Sequence, residues 1–94
     1  MTLEDLLRQK REILEIAARY GARNVRVFGS VARREPDAQD VDILISLEPG
    51  RSILDVGGFL MDLKDLLGCK VDVVTEEGIK PRVRDQVLKE AVTL

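Results

Sequence analysis

Histidine is absent from the chain, and cysteine occurs once, at Cys69. These absences exclude imidazole acid–base catalysis, zinc sites that need imidazole ligands, and any disulfide within the chain. Aromatic residues are nearly absent too, with one tyrosine and two phenylalanines, so the core must be aliphatic and a base-stacking platform is not expected. Carboxylate, lysine, hydroxyl and metal chemistry are what remain.

Charge of one sign and long apolar runs are also lacking. The 15 basic and 17 acidic residues are spread along the chain and give a net charge of −2, which argues against an extended nucleic-acid partner but not against a single nucleotide. No segment approaches the roughly 18 apolar residues of a membrane span, and the N-terminus has no signal-peptide pattern. We therefore expect one domain, residues 1–94, located in the cytoplasm without a membrane partner.

Apolar spacing predicts alternating helices and strands. Helices are expected at residues 2–20, 52–67 and 81–90, with one helical turn through Arg33, and strands are expected at 24–28, 41–46 and 70–74. The predicted fold class is α+β with an α/β-like crossover. Its order is α-β-(α)-β-α-β-α, a short mixed sheet flanked by helices.

Capping residues and glycines indicate where the predicted helices begin, end or bend. Thr2 with Asp5, and Ser52 with Asp55, are capping pairs. Gly21 and Gly68 are the expected stops. Because each glycine costs a helix about 1 kcal/mol, Gly57-Gly58 marks a kink, a close approach or a late helix start. In the last helix, the residues expected to face the core are Val83, Val87, Leu88 and Ala91.

Three aspartates are the candidate catalytic and metal-binding residues. Asp40 and Asp42 begin the second strand two positions apart, so they face the same side. Asp72 interrupts the third strand in the same way, and lies at the same end of the sheet if these strands are parallel neighbours. Each aspartate alone is more often a turn cap, a solvated strand residue or an edge charge. The three taken together with Gly29-Ser30 favour a functional site.

Carboxylates this close repel one another unless cations neutralise them. Oxygen ligands without nitrogen or sulfur favour Mg²⁺ or Mn²⁺ over zinc. The cluster suits two metal ions, one on the attacking oxygen and one on the leaving phosphate oxygens.

The Gly29-Ser30 turn is the candidate nucleotide-binding element. Gly29 permits close backbone approach to a ligand, and the amides at the start of a helical turn attract phosphate. Arg33 lies on the same turn and is placed to neutralise a triphosphate. The plain alternative is a strand-to-helix turn with a serine cap and a solvated arginine.

At these residues the sequence resembles the DNA polymerase β-like nucleotidyltransferase superfamily, and more narrowly the minimal nucleotidyltransferases of prokaryotes. The resemblance extends over essentially the whole chain. Arg34 stands where glycine is common and Gln39 where serine is common. The matching residues are Gly29-Ser30, Ala32-Arg33, Asp40-Val41-Asp42 and Asp72.

The resemblance implies that Gly29 and Ser30 hold the triphosphate of ATP, and that Asp40 and Asp42 bind metal. Asp72 would bind metal or help to deprotonate the acceptor hydroxyl. Larger members add a domain that shapes the acceptor pocket, so for this chain we expect another protein to present the acceptor. For minimal members the implied partner is a HEPN-type helical toxin, which receives AMP on a tyrosine from its antitoxin and assembles with it.

Two other functions stay open at this point. The chain could be a non-catalytic antitoxin that neutralises its partner by contact. It could instead transfer a nucleotide to a small molecule, although no acceptor domain is evident.

Overall fold

The computed structural model describes all of residues 1–94. In chain order its elements are α1 (Leu3–Arg8), α2 (Lys10–Arg19), β1 (Ala22–Phe28), α3 (Gly29–Ala32), β2 (Val41–Leu47), α4 (Ile53–Leu67), β3 (Val71–Thr75), α5 (Pro81–Glu90) and β4 (Val92–Thr93). A 3₁₀ turn at Glu76–Gly78 lies between β3 and α5. The predicted α+β order is confirmed, with one further helix at the N-terminus and one further strand at the C-terminus.

The N-terminal region forms two helices where the sequence predicted one. Thr2 and Asp5 make the expected capping box at the start of α1. The Gln9 amide is shared between the carbonyl oxygens of Asp5 and Leu6, at 3.3 and 3.0 Å, which tightens the chain locally and separates α1 from α2. Both helices bury apolar residues in the same core, so the apolar side predicted for one long helix still faces the core after the break.

The sheet is mixed and has the order β3-β2-β1-β4. β1 is antiparallel to β2 and β4, whereas β2 and β3 are parallel neighbours joined by α4. β1 begins at Ala22, two residues before the predicted start. It contains an irregularity between Arg23 and Arg26, where Asn24 takes a positive φ of 51°. Asparagine tolerates this conformation better than most side chains.

Helix α4 begins and ends at the predicted signals. Ser52 and Asp55 form its capping box, and Gly68 ends it in the left-handed conformation. A Cβ at Gly58 would overlap the ring of Tyr20, whose hydroxyl donates to Asp62 Oδ2 at 2.8 Å. Gly58 therefore serves a close approach between helices, whereas a Cβ at Gly57 would have nothing within 4 Å. Since α4 starts at Ile53, the pair does not mark a late start.

Helices α1, α2 and α4 pack with the sheet around an aliphatic core. Helix α5 contributes no buried residue: Val83 and Leu88 are 43% and 40% exposed, so the expectation that they face the core is wrong. The core is already filled by the other helices, and α5 packs lightly on β1 and α3. Leu94, beyond the short strand β4, is buried instead. None of the helices has the length and apolar character needed to cross a membrane.

Candidate functional site

The site is built where β1 ends, β2 begins and α5 finishes. Phe28, the last residue of β1, pairs with Asp42 near the start of β2. Gly29 follows with a φ of +75°, a backbone conformation that residues other than glycine rarely adopt. A Cβ at Gly29 would overlap the carboxylate of Asp42. The Gly-Ser turn and this carboxylate are therefore in direct contact.

Two of the three predicted aspartates are brought together by strand pairing. Asp42 and Asp72 are register partners on the parallel strands β2 and β3. Asp40 lies just before β2, is exposed, and has its Oδ2 4.0 Å from Nζ of Lys70. Burial raises the pKa of the Asp42 carboxyl, and the charges of Asp72 and Asp40 raise it further. The expected crossover and the shared end of the sheet are confirmed.

The donor set suits a hard divalent cation, although the side chains do not converge on one point. All the donors are carboxylate oxygens. Burial raises the pKa of Asp42, and the charges of Asp72 and Asp40 raise it further; a cation would relieve this repulsion between carboxylates. No group of three or more acidic or cysteine side chains has the closeness of a metal cage. Asp40, Asp42 and Asp72 fit the metal in charge and ligand type, since oxygen ligands are what Mg²⁺ prefers.

Arg33 lies at the end of α3 and is held by two carboxylates. Its Nε donates to Glu35 Oε2 at 2.6 Å, and its Nη1 donates to both oxygens of Glu90 at 3.0 and 2.9 Å. The Gly29 amide also donates to Glu90, at 3.0 Å. Sequence reasoning missed Glu90: it lies 61 residues beyond Gly29, on a helix whose orientation no local pattern fixes.

Arg34 takes a positive φ of 56°, which explains why glycine is common at this position. Its guanidinium pairs with Glu4 of α1, with Nε and Nη2 at 3.0 and 2.9 Å from Oε2. Gln39 is exposed and lines a shallow open pocket between Ser30 and Asp40. Neither departure from the family pattern replaces a predicted ligand.

The sequence model of the family "Nucleotidyltransferase domain" matches residues 9–94. The chain belongs to this family. Among curated relatives of this nucleotidyltransferase, "Putative protein adenylyltransferase MJ0435" of Methanocaldococcus jannaschii is 39% identical over 84 residues, which cover 88% of this chain and 90% of the relative. "Protein adenylyltransferase MntA" of Thermococcus cleftensis is 37% identical over 97 residues, covering 98% and 95%.

Solved structures agree with this assignment. A structure described as a "putative minimal nucleotidyltransferase" is 47% identical, with a TM-score of 0.87 over 100% of this chain and 97% of the other. A toxin–antitoxin structure with AMP-PNP shares the fold at 16% identity, with a TM-score of 0.72 over 89% of this chain and 70% of the other. The resemblance to minimal nucleotidyltransferases and to their polymerase β-like fold is confirmed.

Proposed function

We propose that this nucleotidyltransferase transfers AMP from ATP to a hydroxyl of a partner protein, and that the partner is a HEPN-type toxin which it neutralises in the cytoplasm. The observation that carries the chemistry is the pairing of Asp42 with Asp72, with the Asp42 carboxylate against Gly29. Relatives named protein adenylyltransferases support the donor and the reaction. Structures described as MntA–HpeT toxin–antitoxin complexes support a toxin partner.

In the proposed reaction, Asp40, Asp42 and Asp72 would hold Mg²⁺, with two ions expected and Mn²⁺ as an alternative. When bound, the metal would neutralise charge on the phosphates and on the attacking oxygen. Gly29, Ser30 and Arg33 bind and orient the triphosphate. The acceptor oxygen bonds to the α-phosphorus, the bond to the bridging oxygen breaks, and pyrophosphate leaves. The hydroxyl proton passes to Asp72 or to water.

The burial of Asp42 and its repulsion by the neighbouring carboxylates of Asp72 and Asp40 give this proposal its physical basis. The pKa of Asp42 is raised by burial and by two neighbouring carboxylates, so the free protein holds a charge arrangement that divalent cations would stabilise. Most of the rate enhancement would come from positioning and electrostatics, as in phosphoryl transfer generally.

Label transfer tests the reaction. The wild type, α-labelled ATP, Mg²⁺ and the co-purified partner should give a labelled partner, and chelation of the metal should prevent it. We expect Asp42→Asn to abolish transfer, whereas Asp65→Asn, at an exposed aspartate on α4, keeps it. Equal labelling by the wild type and the double variant Asp40→Asn/Asp42→Asn would refute the catalytic assignment.

A second candidate is neutralisation by contact alone. The apolar side chains of Ile53 and Leu54, at the start of α4, are 79% and 83% exposed, which suits a surface that binds another protein. The double variant distinguishes the two functions in a growth assay with the partner toxin. Full protection by Asp40→Asn/Asp42→Asn favours contact, and lost protection with retained complex formation favours catalysis.

A further inference from the structure

The Glu90 carboxylate connects the end of α5 to the Gly29-Ser30 turn. It accepts hydrogen bonds from the Gly29 amide and from Arg33 Nη1, all within 3.0 Å. The Glu90 side chain is 12% exposed, whereas that of Arg33 is 47% exposed. The carboxylate is therefore the fixed member of this pair, and the guanidinium extends from it toward solvent.

The arrangement leaves one nitrogen of Arg33 without a carboxylate. Glu35 accepts from Nε and Glu90 accepts from Nη1, while Nη2 donates a hydrogen bond to neither carboxylate. A guanidinium is planar, so two anchored nitrogens fix the direction of the third. Nη2 is thus pre-oriented to meet an anion, and little side-chain entropy remains to be lost on binding.

Glu90 is better suited to hold Arg33 than to compete with a phosphate for it. Burial works against the charged form of Glu90, but hydrogen bonds from Arg33 and the Gly29 amide keep its pKa below the ordinary value. Displacement by a phosphate would leave this charge buried without its donors, which is strongly unfavourable. A phosphate can instead use Nη2 while Glu90 stays in place.

We propose that Glu90 is a positioning residue of the nucleotide site, which acts by orienting Arg33 toward the phosphates of a nucleoside triphosphate, while its hydrogen bond from the Gly29 amide joins it to the Gly29-Ser30 turn. This inference rests on the proposed function, since it concerns the same site. It adds the C-terminal end of α5 to the elements that determine nucleotide affinity.

Calorimetric titration of ATP with Mg²⁺ tests the role through a double-mutant cycle. We expect Arg33→Ala and Glu90→Ala each to raise the Kd about tenfold, the loss of one charge-assisted interaction. Because Glu90 acts through Arg33, the double variant should bind about as weakly as Arg33→Ala alone. Glu90→Gln keeps an acceptor for the Gly29 amide and should have an intermediate Kd. Asp85→Asn, an exposed charge on the same helix, is the matched control and should bind like the wild type.

A second measurement needs no nucleotide. In the free protein, the ¹⁵N relaxation of Arg33 Nε should report an ordered side chain, and this order should fall in Glu90→Ala but not in Asp85→Asn. A merely structural role for Glu90 would lower stability without this selective loss of order.

The results separate this inference from the proposed function. Tighter ATP binding by Glu90→Ala, additive losses in the double variant, or unchanged Arg33 order would each overturn the positioning role. If the wild type binds no nucleotide, the proposed function is wrong, and with it any nucleotide-positioning role. The order of the Arg33 side chain then reports only whether Glu90 holds Arg33 in the free protein.

Discussion

Gly29 and Gly50 share a backbone conformation but not an environment, which makes them a matched pair. Their φ angles are +75° and +87°; a Cβ at Gly29 would overlap the Asp42 carboxylate, whereas one at Gly50 would have nothing within 4 Å. We expect alanine at either position to cost about 1–2 kcal/mol of unfolding free energy, measured in denaturant. Only Gly29→Ala should also lower nucleotide transfer, by about 100-fold, because it displaces Asp42. An equal loss of transfer in Gly50→Ala would contradict this explanation.

Single residues also show where sequence reasoning was sufficient. Asp42 and Asp72 could be predicted as neighbours because strand periodicity and a parallel crossover depend on local patterns. The positive φ of Arg34 could be anticipated only through the family's glycine. Glu90 could not be found, because its contacts depend on where α5 lies after folding.

At the level of elements, an ion pair links β1 to the turn after β3. Arg26 is 7% exposed, and its Nη1 lies 2.7 Å from Glu76 Oε1, while Ser46 donates to the other Glu76 oxygen at 3.0 Å. Hydrogen bonds from Arg26 and Ser46 lower the pKa of Glu76 in the folded protein. This link therefore stabilises the fold above the unfolded-state pKa, and the contribution is lost as the pH falls through the folded-state value.

Glu76→Gln tests that pH dependence. At pH 7 we expect it to reduce the free energy of unfolding by about 1–3 kcal/mol, because a buried guanidinium loses its charged partner. The difference from the wild type should shrink as the solution is acidified. Glu77→Gln, at an exposed neighbour, should change stability little at any pH. A pH-independent loss in Glu76→Gln would contradict the ion-pair explanation.

Elements with local signals were predicted well, and those that depend on tertiary partners were not. Helix α4 has a capping box at one end and a left-handed glycine at the other, and both can be read from the chain. Strand β4 has two residues and exists through its pairing with β1. The apolar spacing of α5 predicted a core-facing side, yet the core is filled by other helices.

For the whole molecule, binding of a ligand to the native state should raise the free energy of unfolding and the Tm. A ligand present at 100 times its Kd adds about 2.7 kcal/mol to a native state that alone binds it. For a domain of this size, ATP with Mg²⁺ should then raise the Tm by at least about 10 °C. Asp42→Asn should show no such rise, although it folds. An equal rise in wild type and variant would mean that the nucleotide binds without the carboxylate site.

The register of β2 against β3 sets the distance between the two paired carboxylates of the site. Adjacent strands lie about 4.8 Å apart, so backbone hydrogen bonds set the separation of Asp42 and Asp72. Slipping β3 by one residue would turn Asp72 toward the helices and Val71 or Val73 toward solvent. The same apolar residues that keep the strand from sliding therefore keep the carboxylates paired. A core substitution far from these carboxylates would thus separate Asp42 from Asp72 while leaving both residues in the sequence.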